Sequence, residues 1–224
     1  MATIQHKSLN YLTLLAVAML LAACSGQSAR DSGGKIAQVP QTEYQRLLAD
    51  AHALSFTLNF DQLRAAYVNS PGYNPYGGVK LSGLPEAYKA VEEGNFDDCL
   101  NSLDKVLREN YMSLEAHMIG VVCSSREGDF DREDSHRYMV EGLMSSIEGS
   151  GDGRSQESAL QTISTSELRG FIRLKGLQVL DQSLVYDDHG VYDKMQVRDP
   201  ESGDEYPLFF NISQQFAREV NAME

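Results

Sequence analysis

The chain has 224 residues, of which 42% are hydrophobic and 23% charged, a balance that suits one globular body and is too apolar for a disordered chain. Its formal net charge of −13 repels nucleic acid and anionic lipid surfaces, which excludes nucleic-acid binding as a role.

Lys7 precedes an apolar run from Tyr11 to Leu21. Such a run has the length of an export-signal core and is too short for a permanent membrane-spanning helix. Directly after it stand Leu21-Ala22-Ala23-Cys24. This tetrapeptide resembles the lipobox of bacterial lipoproteins, an aliphatic residue and two small ones ahead of a Cys, where small residues let the signal peptidase approach the backbone. The resemblance implies that residues 1–23 are a signal peptide and that Cys24 is the acylated, membrane-anchoring residue. Loss of Lys7 with the signal would leave the mature chain at −14. The other reading is an ordinary cleaved signal with an incidental Cys. Ser25, in place of Asp, implies by the same resemblance an outer-membrane address facing the periplasm. Residues 25–41, SGQSARDSGGKIAQVPQ, have the composition of a linker, and such a coil reaches roughly 20–25 Å. The expected layout is therefore a signal over 1–23, a lipidated Cys and tether over 24–41, and a single α+β domain over 42–224.

Helices come first. Thr42 and Gln45 form a capping-box pattern ahead of Tyr44, Leu47, Leu48 and Ala51 at helical spacing. A second helix is expected from Asp61 to Val68, with Leu63, Ala66 and Tyr67 on one side. Residues 70–83, SPGYNPYGGVKLSG, form a loop punctuated by Pro71-Gly72, Asn74-Pro75 and Gly77-Gly78. Tyr73 and Tyr76 flank a proline there. They can present a rigid surface to an envelope protein partner, or simply lie on a helical core.

Between residues 84 and 147 the apolar residues define four amphipathic helices: Leu84, Ala87, Tyr88 and Val91; Phe96, Cys99, Leu100, Leu103, Val106 and Leu107; Leu114, Met118, Val121 and Val122; then Met139, Val140, Leu143 and Ile147. Gly94-Asn95-Phe96-Asp97 recurs as Gly128-Asp129-Phe130-Asp131, an offset of 34 residues. This period and turn resemble a tetratricopeptide repeat, in which the Gly opens the corner and the aromatic residue covers the hairpin. Cys99, Leu103 and Tyr111 depart from that pattern. Two repeats are too few for a solenoid groove, so a repeat-like core inside a larger domain is expected.

The remainder changes period. Gly149 to Gly153 break the chain, and Ser164 with Glu167 caps a helix through Leu168, Phe171 and Ile172. Within residues 176–212 an antiparallel meander of three strands is expected: 177–186, 191–198 and 206–212, joined by turns at Asp188-His189-Gly190 and Asp199 to Gly203. Pro207 marks the last strand as an edge or as bulged. Ser213 is expected to cap a closing helix with Phe216, Val220 and Met223 inward. The fold class is α+β, mainly helical.

Chemical motifs are sparse. His6, His52, His117, His136 and His189 share no metal-ligand spacing, and no cofactor, metal or catalytic residue is assigned. Asp129 to Glu133 begin like a calcium loop but lack its sixth-position Gly and closing Glu, which reads as a solvated helix start. Asp187, Asp188 and His189 can supply a base with an orienting carboxylate, or a polar turn. Cys99 and Cys123 stand twelve residues either side of Tyr111, at the bend of a helical hairpin. They form a disulfide in an oxidising compartment, or are two small buried residues.

Tyr67, Tyr73-Asn74-Pro75-Tyr76, the Gly94 turn, Gln182-Ser183-Leu184, Tyr192-Asp193 and Gly203 through Phe210-Asn211-Ile212 resemble a domain-of-unknown-function family of exported bacterial proteins, over about Phe56 to Ile212. The resemblance implies continuity of fold and carries no functional residue. Two roles are expected as alternatives. One is an envelope-anchored protein-binding or assembly module without catalysis. The other is a periplasmic hydrolase or small-ligand binder, with a pocket between meander and helices near Asp187, His189 and Tyr192.

Overall fold

The computed structural model describes residues 41–76 and 83–223. Cys24, nearly all of the expected tether and the Gly77-Gly78 pair lie outside the described residues. Helix α1 (Glu43–His52) opens with a complete capping box: Thr42 Oγ1 accepts from the Gln45 N–H at 3.2 Å, and the Gln45 side chain accepts from the Thr42 N–H at 2.9 Å. Helix α2 (Phe60–Val68) starts at Asn59, whose side chain accepts from the Gln62 N–H. It buries the expected Leu63, Ala66 and Tyr67, and with them Arg64.

Two hairpins follow, α3 (Leu84–Glu93) with α4 (Phe96–Glu109) and α5 (Leu114–Glu127) with α6 (Phe130–Glu148). Their corners are superimposable in chemistry. Gly94 and Gly128 adopt φ of 71° and 76°, a conformation that glycine enters without a Cβ penalty. Beyond them the Asn95 N–H reaches the Ala90 carbonyl at 2.8 Å and the Asp129 N–H the Ser124 carbonyl at 2.9 Å, the same Schellman closure. The 34-residue offset is thus a repeat of structure. The aromatic residue after the turn does not behave alike in both: Phe96 is half-buried, whereas Phe130 is 69% exposed and covers no hairpin.

The inner face of α5 also differs from the apolar stripe of the sequence. Ala116, Ile119 and Cys123 face the small core of α3 and α4, and His117, Gly120 and Ser124 are buried too, while Val122 is exposed. This helix packs against α4 and α6 at once, and small side chains permit the close approach.

After a two-residue strand β1 (Leu160–Gln161), helix α7 (Thr165–Leu174) leads into β2 (Gln178–Asp187), β3 (Gly190–Arg198), β4 (Glu205–Asn211) and the closing helix α8 (Ser213–Met223). The sheet order is β1-β4-β3-β2. The expected antiparallel meander is β2-β3-β4, and β1 corrects it to a mixed sheet by pairing parallel to Phe210 and Asn211. Pro207 lies opposite Gln196. Two residues on, the Phe209 N–H points away from β3 to the Gly153 carbonyl at 2.8 Å. Pro207 therefore lacks its donor on the side away from β3, at a level that the two-residue β1 does not reach, as an edge position requires.

The bulge of the sheet is in β2, between Val179 and Asp181. Ser213 is not the expected cap: its hydroxyl accepts from the Val191 N–H of β3 at 3.0 Å, while Asn211 Oδ1 accepts from the Ser213 N–H. The side chains of Val220 and Met223 lie outside the described residues.

The larger core joins α1, α2, α6 and α7 to the inner face of the sheet, with Leu63, Met139, Leu143, Phe171, Val197 and Phe210 at its centre. The fold is α+β and mainly helical, as its sequence patterns indicate.

Candidate functional site

A cleft of about 520 Å³ opens between α1 and α2 on one side and α4 and α6 on the other. Its walls are aromatic. The Tyr44 and Tyr67 rings lie 5.3 Å apart and those of His52 and Tyr111 4.1 Å apart, and Leu48 and Leu107 add apolar surface. Burial raises the phenol pKa of Tyr44, Tyr67 and Tyr111 and lowers that of the His52 imidazole. All four rings are therefore neutral at pH 7. The Asp104–Arg132 ion pair, Arg108 and Glu109 form the charged rim.

Behind this cleft two buried histidines are hydrogen-bonded to each other. His117 Nε2 lies 2.8 Å from the Tyr111 carbonyl, and His117 Nδ1 lies 3.0 Å from His136 Nδ1. A carbonyl only accepts, so Nε2 of His117 carries its hydrogen and Nδ1 is bare. His136 must then donate from Nδ1. Its Nε2 is left as a buried lone pair without a partner. Burial, reinforced by the neighbouring imidazole, pushes His117 down to about 3. Burial, reinforced by the Arg132 charge, pushes His136 down to about 4.

A second network ties the domain together. Arg64 of α2 donates from Nε and Nη2 to the two carboxylate oxygens of Glu167 on α7, at 2.9 and 2.8 Å. It also donates from Nη1 to Ser146 Oγ of α6 at 2.9 Å and from Nη2 to the Gln161 carbonyl of β1 at 2.6 Å. Ser146 passes its hydrogen to Asp61. Glu167 accepts further from the Ile163 N–H at 2.9 Å. Glu167 is the third residue after the Ser164 cap, and the structure uses it to bind Arg64 as well as to complete a helix start.

The residues singled out in the sequence are distributed differently. Tyr73 is no partner surface: it is 4% exposed, stacks edge-on to Tyr67 with ring centroids 5.4 Å apart, and donates its hydroxyl to the Ile163 carbonyl at 2.8 Å. Tyr76 is half-buried and engaged with the domain. The intervening Pro75 carbonyl accepts from the Thr165 N–H at 2.9 Å. The loop thus lies on the core because the Tyr73 hydroxyl and the Pro75 carbonyl are bonded to Ile163 and Thr165 at the entry to α7. Cys99 and Cys123 form a disulfide across α4 and α5, with Cα atoms 6.4 Å apart.

Asp187 accepts from the backbone N–H groups of His189 and Gly190 at 2.7 and 2.8 Å and from the Gln156 side chain at 3.0 Å, so it holds the hairpin turn. Tyr192 is 3% exposed. Asp129 accepts from the Arg132 N–H and caps α6, in keeping with a helix start. Among the described residues no three metal-ligating side chains converge. None of their helices is long and apolar enough to cross a membrane.

The pairs that build the cleft and the networks left no local pattern. Arg64 and Glu167 are 103 residues apart and His117 and His136 are 19 apart. Polar residues on the apolar faces of their helices were the one available signal.

Helical hairpins repeated at a fixed offset and closed by a small mixed sheet define an α+β domain with one aromatic cleft. The chain belongs to the family described as a domain of unknown function, DUF4919, which it matches over residues 37–221. No curated protein and no solved structure matches the chain.

Proposed function

We propose that the protein is a lipid-anchored binding module of the bacterial cell envelope, held to the outer membrane through Cys24 and presenting its folded domain to a protein partner in the periplasm. The address rests on the apolar run from Tyr11 and the Leu21-Ala22-Ala23-Cys24 tetrapeptide. Acyl chains on that residue would hold the domain stably at the surface.

The binding role rests on the aromatic cleft between α1 and α6. Neutral rings of Tyr44, Tyr111 and His52, backed by the buried Tyr67, with a charged rim are suited to an apolar or aromatic side chain presented by another protein. A photo-crosslinking residue placed at Leu48 or Leu107 in cells is expected to capture one discrete protein, and Leu107→Glu to abolish capture from Leu48. Intact mass of the membrane fraction is expected to give an acylated chain beginning at Cys24, lost in Cys24→Ser. Absence of any captured protein from both positions overturns the binding reading, and an unacylated mature chain overturns the anchor.

A second reading, a small-ligand site between meander and helices, has a cleft of about 450 Å³ where α7 meets β2 and β3, although Asp187, His189 and Tyr192, the residues expected around that pocket, do not line it. Its polar groups are Glu115, Arg169, Arg173, Gln182 and Asp193, and the Arg173–Glu115 pair at 2.8 Å would have to open for an anion.

A further inference from the structure

Strand β2 ends the sheet, and among the described residues no strand pairs with its outer edge. Nine of its ten residues are exposed and the tenth is half-buried. Four of the eight exposed large apolar residues of the described chain, Val179, Leu180, Leu184 and Tyr186, lie on it. Folded proteins usually shield such an edge with lysine, proline or a bulge. Here the strand, QVLDQSLVYD, holds neither lysine nor proline, and its bulge is confined to the Val179–Asp181 end.

The backbone of the remaining stretch is aimed outward. Val191 donates to Ser213 Oγ at 3.0 Å and accepts from the Ile212 N–H at 2.9 Å, so both of its polar groups face away from β2. Tyr186 is its register partner, and the antiparallel pattern turns the Tyr186 N–H and C=O away from β3. Leu184 and Gln182 follow by alternation. The side chains alternate as well. Gln182, Leu184 and Tyr186 lie on the core face, opposite Met195, Asp193 and Val191. Asp181, Ser183, Val185 and Asp187 lie on the other.

We infer that residues Asp181–Asp187 of β2 take up an extended segment of a protein partner as a fifth strand, apolar on its core-facing side and basic on the other. This rests on the binding-module reading and adds a second contact surface to it. On the core face the incoming side chains would lie beside Leu184 and Tyr186, next to the cleft over Leu168, Ile172 and Leu177. On the other face they would meet the carboxylate of Asp181, and Asp187, whose oxygens hold the hairpin turn, adds its negative charge there.

A second copy of this chain is the poorer occupant. Two-fold antiparallel pairing that uses all three outward residues centres on Leu184 and sets Asp181 against the copy's Asp187 twice, in a chain of net charge −13. Like charges directly opposite destabilise a sheet. A basic strand reverses that sign, and the overall charge steers it inward.

The test uses the purified domain and a synthetic peptide alternating lysine with valine, matched in length to Asp181–Asp187, against the same peptide with glutamate for lysine. The lysine peptide is expected to bind at least about tenfold more tightly and to slow amide exchange at Gln182, Leu184 and Tyr186. Leu184→Pro removes an outward N–H without touching the β2–β3 ladder and is expected to weaken binding by at least about tenfold. Asp181→Lys is expected to shift the preference toward the glutamate peptide, which keeps the inference testable if the proline variant does not fold.

Equal binding of both peptides, or protection elsewhere than on β2, overturns it. So does an unliganded dimer in sedimentation that Leu184→Pro dissolves. Capture from Leu48 and Leu107 is indifferent to Leu184→Pro, so loss of one result separates this inference from the cleft reading.

Discussion

The His136 ring occupies the space that a side chain on Gly120 would need: a Cβ built on Gly120 would stand 2.6 Å from Cδ2, Cε1 and Nε2 of His136. The helices α5 and α6 cross here at the distance that an absent side chain allows. Gly120→Ala is expected to destabilise the domain by about 1–3 kcal/mol through overpacking. His136→Ala in the same chain should recover part of that loss, because the two changes share one contact. Urea denaturation of the single and double variants measures the coupling, and strict additivity would show that the ring moves aside freely.

The His117–His136 pair sets a pH dependence. Both imidazoles have folded pKa values below the ordinary histidine value, at about 3 and about 4. The unfolded chain therefore binds their protons first. Their contribution is fully present above about pH 6.5 and is lost as the pH falls toward 4, at up to about 1.4 kcal/mol per pH unit for each ring. Glu115 opposes this, since burial raises its pKa and its contribution grows on acidification. His136→Gln keeps a donor for His117 and cannot titrate, so the fall in urea midpoint between pH 7 and pH 5 should shrink by about half. An unchanged fall would place the sensitivity elsewhere.

Arg64 joins four segments through one guanidinium. Arg64→Ala leaves the Glu167 carboxylate buried and unpaired and is expected to cost about 3–5 kcal/mol. Arg64→Lys keeps the charge but cannot reach Glu167, Ser146 and the Gln161 carbonyl together, so an intermediate loss is expected. A lysine variant as stable as the wild type in thermal unfolding would mean that charge alone matters, and one no more stable than the alanine variant would mean that the charge without the guanidinium geometry contributes nothing.

The Cys99–Cys123 disulfide closes a loop with a separation of 24 residues. On the chain-entropy account it contributes about 3 kcal/mol. Reduction, or a Cys99→Ala/Cys123→Ala pair, should lower the unfolding midpoint while α1, α7 and the sheet keep their exchange protection. No change in midpoint would show that the small core of Leu100, Leu103 and Val106 is sufficient without the bond.

Tyr73→Phe removes the hydroxyl that satisfies the Ile163 carbonyl. It should lower stability by about 1–2 kcal/mol and leave crosslinking from the aromatic cleft unchanged. Loss of crosslinking at full stability would return Tyr73 to a binding role.

Much of the architecture was legible in the sequence because it rests on local rules. The Thr42 capping box, the Ser164 cap, the paired turns at Gly94 and Gly128 and the three long strands all follow from residues within a few positions of one another. The family match over 37–221 extends beyond the stretch from Phe56 to Ile212 that carries the resembling motifs. What was not legible depended on distant partners. Strand β1 has two residues and owes its existence to Phe210 and Asn211. The burial of His117 and Gly120 follows from α5 being enclosed by two helices at once, and the apolar stripe of a single helix does not carry that information. Whether Tyr73 faces a partner or lies on the helical core is not decided by its neighbours in the chain, because its acceptor, the Ile163 carbonyl, lies 90 residues away.

The sequence by itself determined the helices and the three long strands in their order, the charge that disfavours nucleic acid, and the lipobox-like tetrapeptide at Cys24, since each depends on short-range spacing or on composition. Only the tertiary structure decided which faces are buried, that Cys99 meets Cys123, that Arg64 finds Glu167, and that β2 is left with an open edge. Those outcomes depend on which surfaces the chain brings together, and desolvation and hydrogen bonding act on contacts in space irrespective of separation along the chain.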